Sequence, residues 1–304
     1  MASNIPSHKE AVFRVHRYNP ETKKKWIQEY KVPVYRGLTV LDALIWIKEN
    51  LDPTLSMRYS CRMGVCGSCG MLINGMPRLA CQTQVLKLLE ENHSNVIEIA
   101  PLPGYPVVRD LIVDMTRLIE NHRRIMPYII RRDKKEVDDA KYEFIMYPEE
   151  HLQIYQYSLC IMCGLCNAAC PVFNSNKKYL GPQALTQAYR FIVDVRDAGA
   201  DKRLAIVANA DGCFACHFAA SCSAVCPKAV DPAGAIQKLR RIALLHGLKL
   251  WRKKKVSPVA GPLEKPLRQV KAEYPKHNLL PGVDPEQQAR EPVDIDFKEE
   301  WLKE

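Results

Sequence analysis

The first part of the chain alternates between hydrophobic and polar residues with a period of two, which predicts β-strands at residues 11–18 and 26–34. A polar, lysine-rich connection joins the two strands, so the fold is expected to begin with a hairpin. Thr39 then precedes a segment that extends to about Asn50, in which apolar residues recur at helical spacing. We therefore expect a capped helix that packs against this sheet.

Three more strands are predicted before residue 100. Residues 71–73 and 78–83 flank Asn74 and Gly75, the residue pair preferred in tight hairpin turns. Residues 96–99 have the pattern of a closing strand. The first hundred residues should therefore contain two strands, a helix, a loop, a hairpin and a last strand.

Helical spacing dominates beyond a proline-rich stretch at residues 101–106. Apolar residues repeat at helical intervals between 111 and 119. Longer helices are predicted at 182–195 and 232–248, and Asp231 is a natural N-cap for the second of them.

These patterns divide the chain into three parts and place it in the α+β class. We expect the boundary between the two folded parts near Pro106. The parts are a mostly β domain, a helical domain and an extended tail that is first basic and then acidic, at residues 1–105, 106–250 and 251–304 respectively.

The composition is that of an ordinary folded protein, with 47% hydrophobic and 26% charged residues in a chain of 304. The longest apolar runs are much shorter than the ~20 residues that a membrane-spanning helix needs, so we expect none. The first ten residues carry neither an apolar signal core nor an arginine-rich amphipathic pattern, which favours a cytoplasmic protein. The formal charge of +10 suits an acidic surface or anionic headgroups. No nucleic-acid partner is expected, because aromatic residues do not interleave the basic ones.

The twelve cysteines lie in three tight groups, and their spacing carries the candidate chemistry. Structural disulfides are disfavoured in a reducing compartment, where short C-x2-C spacings indicate metal instead. The first group has the C-x4-C-x2-C…C spacing of plant-type 2Fe-2S proteins, and Gly64, Gly67 and Gly70 would let its loop wrap closely around a cluster. The predicted 2Fe-2S ligands are Cys61, Cys66, Cys69 and Cys81.

The second and third groups form a pair. The second matches C-x2-C-x2-C-x3-C-P, a run in which the first three cysteines hold one cluster and the fourth ligates the other. The third group repeats this run except that Ala219 stands in place of its second cysteine, so one cluster lacks a thiolate and is expected to be 3Fe-4S. The predicted 4Fe-4S ligands are Cys160, Cys163, Cys166 and Cys226. The predicted 3Fe-4S ligands are Cys170, Cys216 and Cys222.

Cys213 is left over, three residues before Cys216. It could supply a fourth ligand to the second cluster of the pair, which would then be 4Fe-4S. However, an upstream cysteine does not place a thiolate where Ala219 stands. We therefore expect Cys213 to be a free buried thiol.

Over residues 10–250 the sequence resembles the iron-sulfur subunit of succinate dehydrogenases and fumarate reductases, the complex II family. The resemblance rests on residues 60–70, on residues 226–228 and on the order 2Fe-2S, 4Fe-4S, 3Fe-4S. It implies a β-grasp ferredoxin domain followed by a helical domain like bacterial ferredoxins. It also implies an electron-transfer subunit with no catalytic residue of its own, a flavoprotein partner that carries FAD, membrane anchor subunits and a place on the cytoplasmic side of the membrane.

The same resemblance implies a quinone near the last cluster, at the interface between subunits. Pro171 and His217 match family positions beside the quinone, and Arg240 stands where the family has a lysine. No tryptophan follows Pro171, because residues 173–175 are Phe, Asn and Ser. For His217 both interpretations stay open, a neighbour of the quinone and an ordinary histidine.

Two other functions are compatible with the cysteine pattern. The chain could be a free multi-cluster ferredoxin, which would run alone on gel filtration of a native extract, whereas a subunit would comigrate with a flavoprotein. It could also serve a cytoplasmic fumarate reductase that uses thiols. Quinone-dependent activity in membranes would count against this last function.

Overall fold

A computed structural model describes residues 10–132, 142–143, 146–253 and 259–260. Most of the predicted C-terminal tail lies outside these residues. The part that is described has a β-rich half followed by a helical half, which confirms the α+β class.

A five-stranded sheet forms the first half. Its strands are β1 (Glu10–Asn19), β2 (Lys24–Pro33), β3 (Gly70–Ile73), β4 (Met76–Leu79) and β5 (Val96–Ala100). They lie in the order β2–β1–β5–β3–β4, with β5 parallel to β1 and the other neighbours antiparallel. Alternate residues of β1 are fully buried, as the period-two pattern predicts.

The first helix, α1 (Val40–Asn50), begins where the sequence predicts. The Thr39 hydroxyl accepts a hydrogen bond from the Asp42 N–H, and the Asp42 carboxylate accepts one from the Thr39 N–H, which is a capping box. The predicted tight turn is also present, because Asn74 and Gly75 have φ values of 47° and 76° between β3 and β4.

Strand β4 ends at Leu79 and does not continue to residue 83 as predicted. The chain turns there because the carbonyls of Ala80 and Thr83 accept hydrogen bonds from the first N–H groups of α1. A short helix that the sequence analysis does not predict, α2 (Val85–Asn92), follows the turn and buries Leu88 and Leu89.

The helix predicted from residue 111 begins only at α3 (Thr116–Arg124), because the residues before it form a hairpin of β6 (Val107–Arg109) and β7 (Ile112–Val113). The Asp110 carboxylate in the hairpin turn accepts hydrogen bonds from the N–H groups of Tyr18 and Ser56, which ties the hairpin to the first sheet. The boundary near Pro106 stays a prediction.

The helical half contains α4 (Pro148–Ser158), α5 (Leu165–Ala168), α6 (Pro171–Ser175), α7 (Pro182–Val193), α8 (Ala200–Val207), a 3-10 turn (Cys213–Ala215), α9 (Ser221–Ala224) and α10 (Pro232–Gly247). The predicted helices at 182–195 and 232–248 correspond to α7 and α10, which pack against each other. Asp231 caps α10 as predicted, since its carboxylate accepts from the Gly234 N–H. In the part of the chain that the structure describes, no helix has both the length and the hydropathy needed to cross a membrane.

A buried arginine joins α8 to the segment after α3. Arg203 is fully buried, and its guanidinium lies 2.7 Å from the Asp197 carboxylate. It also donates to the carbonyls of Ile125, Met126 and Tyr128 at 2.7–2.9 Å. The two buried charges of Arg203 and Asp197 are therefore paired with each other, and the guanidinium is hydrogen-bonded as well.

Candidate metal centres

The first cysteine group lies on the loop between α1 and β3 and on the turn after β4. The side chain of Cys61 lies beside that of Cys66, the side chain of Cys69 lies beside that of Cys81, and Cys66 also lies near Cys69. Cys66 is exposed, whereas Cys69 and Cys81 are buried. The structure therefore brings together the four cysteines of the first group.

Backbone N–H groups converge on the sulfur of Cys61. Those of Cys66, Val65 and Met63 lie 3.2, 3.3 and 3.5 Å from its Sγ. These donors, that of Cys66 most of all, lower the pKa of the Cys61 thiol to about 6. The loop thus offers hydrogen bonds to a negatively charged sulfur, which is the environment that a cluster thiolate requires.

Two glycines shape this loop. Gly64 has a φ of 69°, and a Cβ there would lie 2.3 Å from the Gln82 side chain. Gly67 has a φ of 73°, and a Cβ there would lie 2.8 Å from the Cβ of Cys163. The second contact also shows that the first cysteine loop packs directly against the second group.

The second group opens onto one cavity. Three of its cysteines and one from the third group line that cavity, which is almost wholly apolar: Cys160, Cys163, Cys166 and Cys226. The Val230 N–H lies 3.3 Å from the sulfur of Cys226. The chain therefore crosses from one group to the other, as the motif predicts.

A separate cavity, the third-group cavity, is lined by two cysteines of the third group, Cys216 and Cys222, and by Cys170 of the second. Ala219 lines the same cavity, and no fourth cysteine does so among the described residues. The Phe218 N–H lies 3.4 Å from the sulfur of Cys216.

The backbones of the two groups repeat each other around the missing ligand. Met162 and Gly164, on either side of Cys163, have φ values of 54° and 79°. Phe218 and Ala220, on either side of Ala219, have φ values of 56° and 57°. Short helices, α5 and α9, begin directly after Gly164 and Ala220. Ala219 therefore occupies the place that Cys163 has in the second group.

Cys213 is fully buried in the 3-10 turn and does not line the third-group cavity. Burial raises the pKa of its thiol to about 11, and the nearby Arg240 opposes this shift. Its location agrees with the prediction of a free buried thiol, and its role stays a prediction.

Among the described residues, no three His, Cys, Asp or Glu side chains converge closely enough to hold one metal ion. The cysteines of each cavity lie further apart, and a cluster spreads its thiolates over several irons. Burial raises the pKa of Cys163 and of Cys222 to about 12, so a cation must displace the thiol protons when it binds.

The residues predicted near a quinone are only partly together. Pro171 and His217 line the third-group cavity, where His217 and the neighbouring Phe218 are exposed. Arg240 does not line this cavity, and its guanidinium donates to the Phe214 carbonyl at 3.0 Å.

Sequence reasoning missed two buried polar side chains beside the cysteines. Tyr179 lines the third-group cavity, and Gln183 lines the second-group cavity and hydrogen-bonds with Cys160. Neither belongs to a cysteine motif. The only signal in the sequence is that both flank Gly181 and Pro182, where α7 begins.

Comparison with known proteins identifies the same two halves. The family described as "2Fe-2S iron-sulfur cluster binding domain" matches residues 12–120, and the one described as "4Fe-4S dicluster domain" matches residues 156–230. The fumarate reductase iron-sulfur subunit of Mycobacterium tuberculosis is 43% identical over 239 residues, covering 78% of this chain and 94% of that protein. The subunit of the same name from Escherichia coli O6:H1 is 42% identical over 231 residues, covering 76% and 91%.

A solved structure is similar as well. A chain of the Mycobacterium smegmatis Sdh1 complex in the apo form aligns with a TM-score of 0.68 and 26% identity. The alignment covers 79% of this chain and 97% of that chain.

Proposed function

This chain belongs to the family of iron-sulfur subunits of fumarate reductases and succinate dehydrogenases, and from that premise we propose that it passes single electrons between a flavin-bearing subunit and a membrane quinone through 2Fe-2S, 4Fe-4S and 3Fe-4S clusters. Such clusters exchange one electron at a time, and their surroundings tune each reduction potential. The protein's own work is to hold, space and tune them.

Eleven of the twelve cysteines are the proposed ligands. The 2Fe-2S ligands are Cys61, Cys66, Cys69 and Cys81. The 4Fe-4S ligands are Cys160, Cys163, Cys166 and Cys226. The 3Fe-4S ligands are Cys170, Cys216 and Cys222.

The crossing of the second and third groups carries this proposal. Cys226 faces the same cavity as Cys160, Cys163 and Cys166. Ala219 takes the place of a thiolate in the other cavity. One complete set of four ligands and one set of three, built on the same backbone repeat, are what a 4Fe-4S cluster and a 3Fe-4S cluster require.

The proposed partners are a flavoprotein that carries FAD and one or more membrane anchor subunits, on the cytoplasmic side of the membrane. Exposed apolar residues near the end of α10 support a docked partner there, since Leu248 is 68% and Leu250 is 72% exposed. The proposed quinone lies near Pro171 and His217, which face the third-group cavity, with Arg240 holding the adjacent Phe214 segment.

The test is to purify the chain with an affinity tag from native membranes and to record low-temperature electron paramagnetic resonance (EPR) spectra. We expect a flavoprotein to copurify, a 3Fe-4S signal in the oxidised sample, and its loss when succinate is added. A coloured chain that elutes alone would support a free ferredoxin. Fumarate reduction driven by thiols in the absence of membranes would support the cytoplasmic reductase, and an iron-free chain purified anaerobically would contradict all three functions.

A further inference from the structure

Tyr179 carries a buried hydroxyl whose polar neighbours are the cysteines of the third-group cavity, Cys216 foremost. The residue has no exposed surface and lines the third-group cavity together with Cys170, Cys216 and Cys222. Its hydroxyl makes no hydrogen bond of normal length and angle with any residue that the structure describes. A buried hydroxyl without an acceptor destabilises the fold, so this one points to an acceptor that belongs in the cavity.

The backbone around Tyr179 is fixed from the direction of α3. The Arg117 guanidinium donates to the carbonyls of Asn176 and Tyr179 at 2.8 and 3.1 Å. The Asn121 carboxamide donates to the Leu180 carbonyl at 2.9 Å. These bonds fix the backbone at residues 176–180, and the full burial of the Tyr179 side chain confines its ring at the cavity.

A buried tyrosine beside the second group differs from Tyr179, because the Tyr105 hydroxyl donates to the Gly164 carbonyl at 3.2 Å. The Tyr179 hydroxyl makes no such bond to a backbone carbonyl, and the third-group cavity that it lines contains the sulfur atoms of three cysteines. Its donor is therefore left for an acceptor in that cavity.

We propose that the Tyr179 hydroxyl donates a hydrogen bond to a sulfur of the cluster held by Cys170, Cys216 and Cys222, and that this bond raises the reduction potential of that cluster. The inference rests on the proposed function. Reduction adds one electron to the cluster and makes its sulfurs more negative, while the proton stays on the tyrosine oxygen and no bond breaks. A donor stabilises the reduced form more than the oxidised form, because hydrogen bonds to more negative acceptors are stronger.

The test is the variant Tyr179→Phe, which removes one oxygen and keeps the ring. In the purified complex, a redox titration followed by the EPR signal of the 3Fe-4S cluster should give a more negative midpoint. We expect the reduction equilibrium to change several-fold, up to about tenfold, where tenfold corresponds to 59 mV for one electron. The matched control Tyr105→Phe removes a hydroxyl that is already committed elsewhere, and it should leave this midpoint unchanged.

The signals of the other two clusters in the same sample report whether the variant is folded and loaded. An unchanged 3Fe-4S midpoint in a fully loaded Tyr179→Phe complex would overturn the inference and leave the proposed function intact. A wild-type complex without any 3Fe-4S signal would overturn the proposed function itself. Equal shifts in the two tyrosine variants would also overturn the inference, because they would indicate a general effect of lost buried hydroxyls.

Discussion

Replacing Ala219 with cysteine is expected to convert the third-group cluster from three irons to four. The φ values at 218 and 220 repeat those at 162 and 164, so the new side chain would leave the backbone as that of Cys163 does. Ala219 already lines the third-group cavity together with Cys170, Cys216 and Cys222. A thiol added there completes the set of four ligands that the second group has.

The change in the number of bound irons is large enough to measure. With the proposed clusters, the wild-type chain holds about nine irons and the variant about ten. Iron analysis of the purified complex gives this number directly. The oxidised variant should also lose the 3Fe-4S EPR signal, and the reduced variant should gain a second signal of the 4Fe-4S type.

The control is Ala219→Ser, which adds a group of similar size that binds iron poorly. It should keep the wild-type iron content and the oxidised signal. If Ala219→Cys instead kept the full 3Fe-4S signal at the wild-type iron content, the backbone repeat would not place residue 219 as a ligand, and the reasoning would be refuted.

Three other predictions concern single side chains. Cys213→Ala should leave the iron content and the EPR spectra unchanged, since this side chain lies outside the third-group cavity, and any loss of iron would make Cys213 a ligand. Arg203→Met should lower the free energy of unfolding in urea by about 3 kcal/mol, because it removes the closer of the two cations that pair with the buried Asp197 carboxylate and takes the donor from three carbonyls. The exposed Arg109→Met should cost about 1 kcal/mol or less, and equal losses in the two variants would contradict this account. Burial lowers the pKa of Lys253 to about 8, so above that pH the unfolded chain holds this proton more tightly and stability should rise with pH. In Lys253→Met the free energy of unfolding should no longer rise with pH in this way. The rise in the wild type is at most roughly 1.4 kcal/mol for each unit by which the pKa of Lys253 differs between the folded and unfolded chain. Identical pH profiles of stability in variant and wild type would refute this prediction.

Local patterns predicted the elements whose signal lies within their own sequence. The capped start of α1 and the Asp231 cap of α10 are examples, since a short side chain and a neighbouring N–H decide each helix start. The hairpin at 107–113 could not be predicted in this way. Its second strand lies in the run of helical spacing that begins at residue 111, and the Asp110 contacts with Tyr18 and Ser56 that override this spacing come from remote parts of the chain.

In the candidate site, too, the sequence predicted some residues and not others. The cysteine spacing alone predicted which thiols come together, including the crossing of Cys226 to the second group, because the motif encodes that crossing. The polar residues around the cavities carried no such signal. The backbone at Tyr179 and Leu180 is fixed by Arg117 and Asn121, which lie about sixty residues earlier in the chain.

The crossing also sets an order for biosynthesis. The ribosome adds Cys166 about sixty residues before Cys226. During that interval the chain contains only three of the four cysteines that line the cavity of the second group. Residues 61–81 complete the first quartet much earlier, and that half has all its parts once the hairpin that carries Asp110 has been made. A polypeptide that ends between residues 110 and 216 therefore contains the first quartet of cysteines and neither of the other two complete sets.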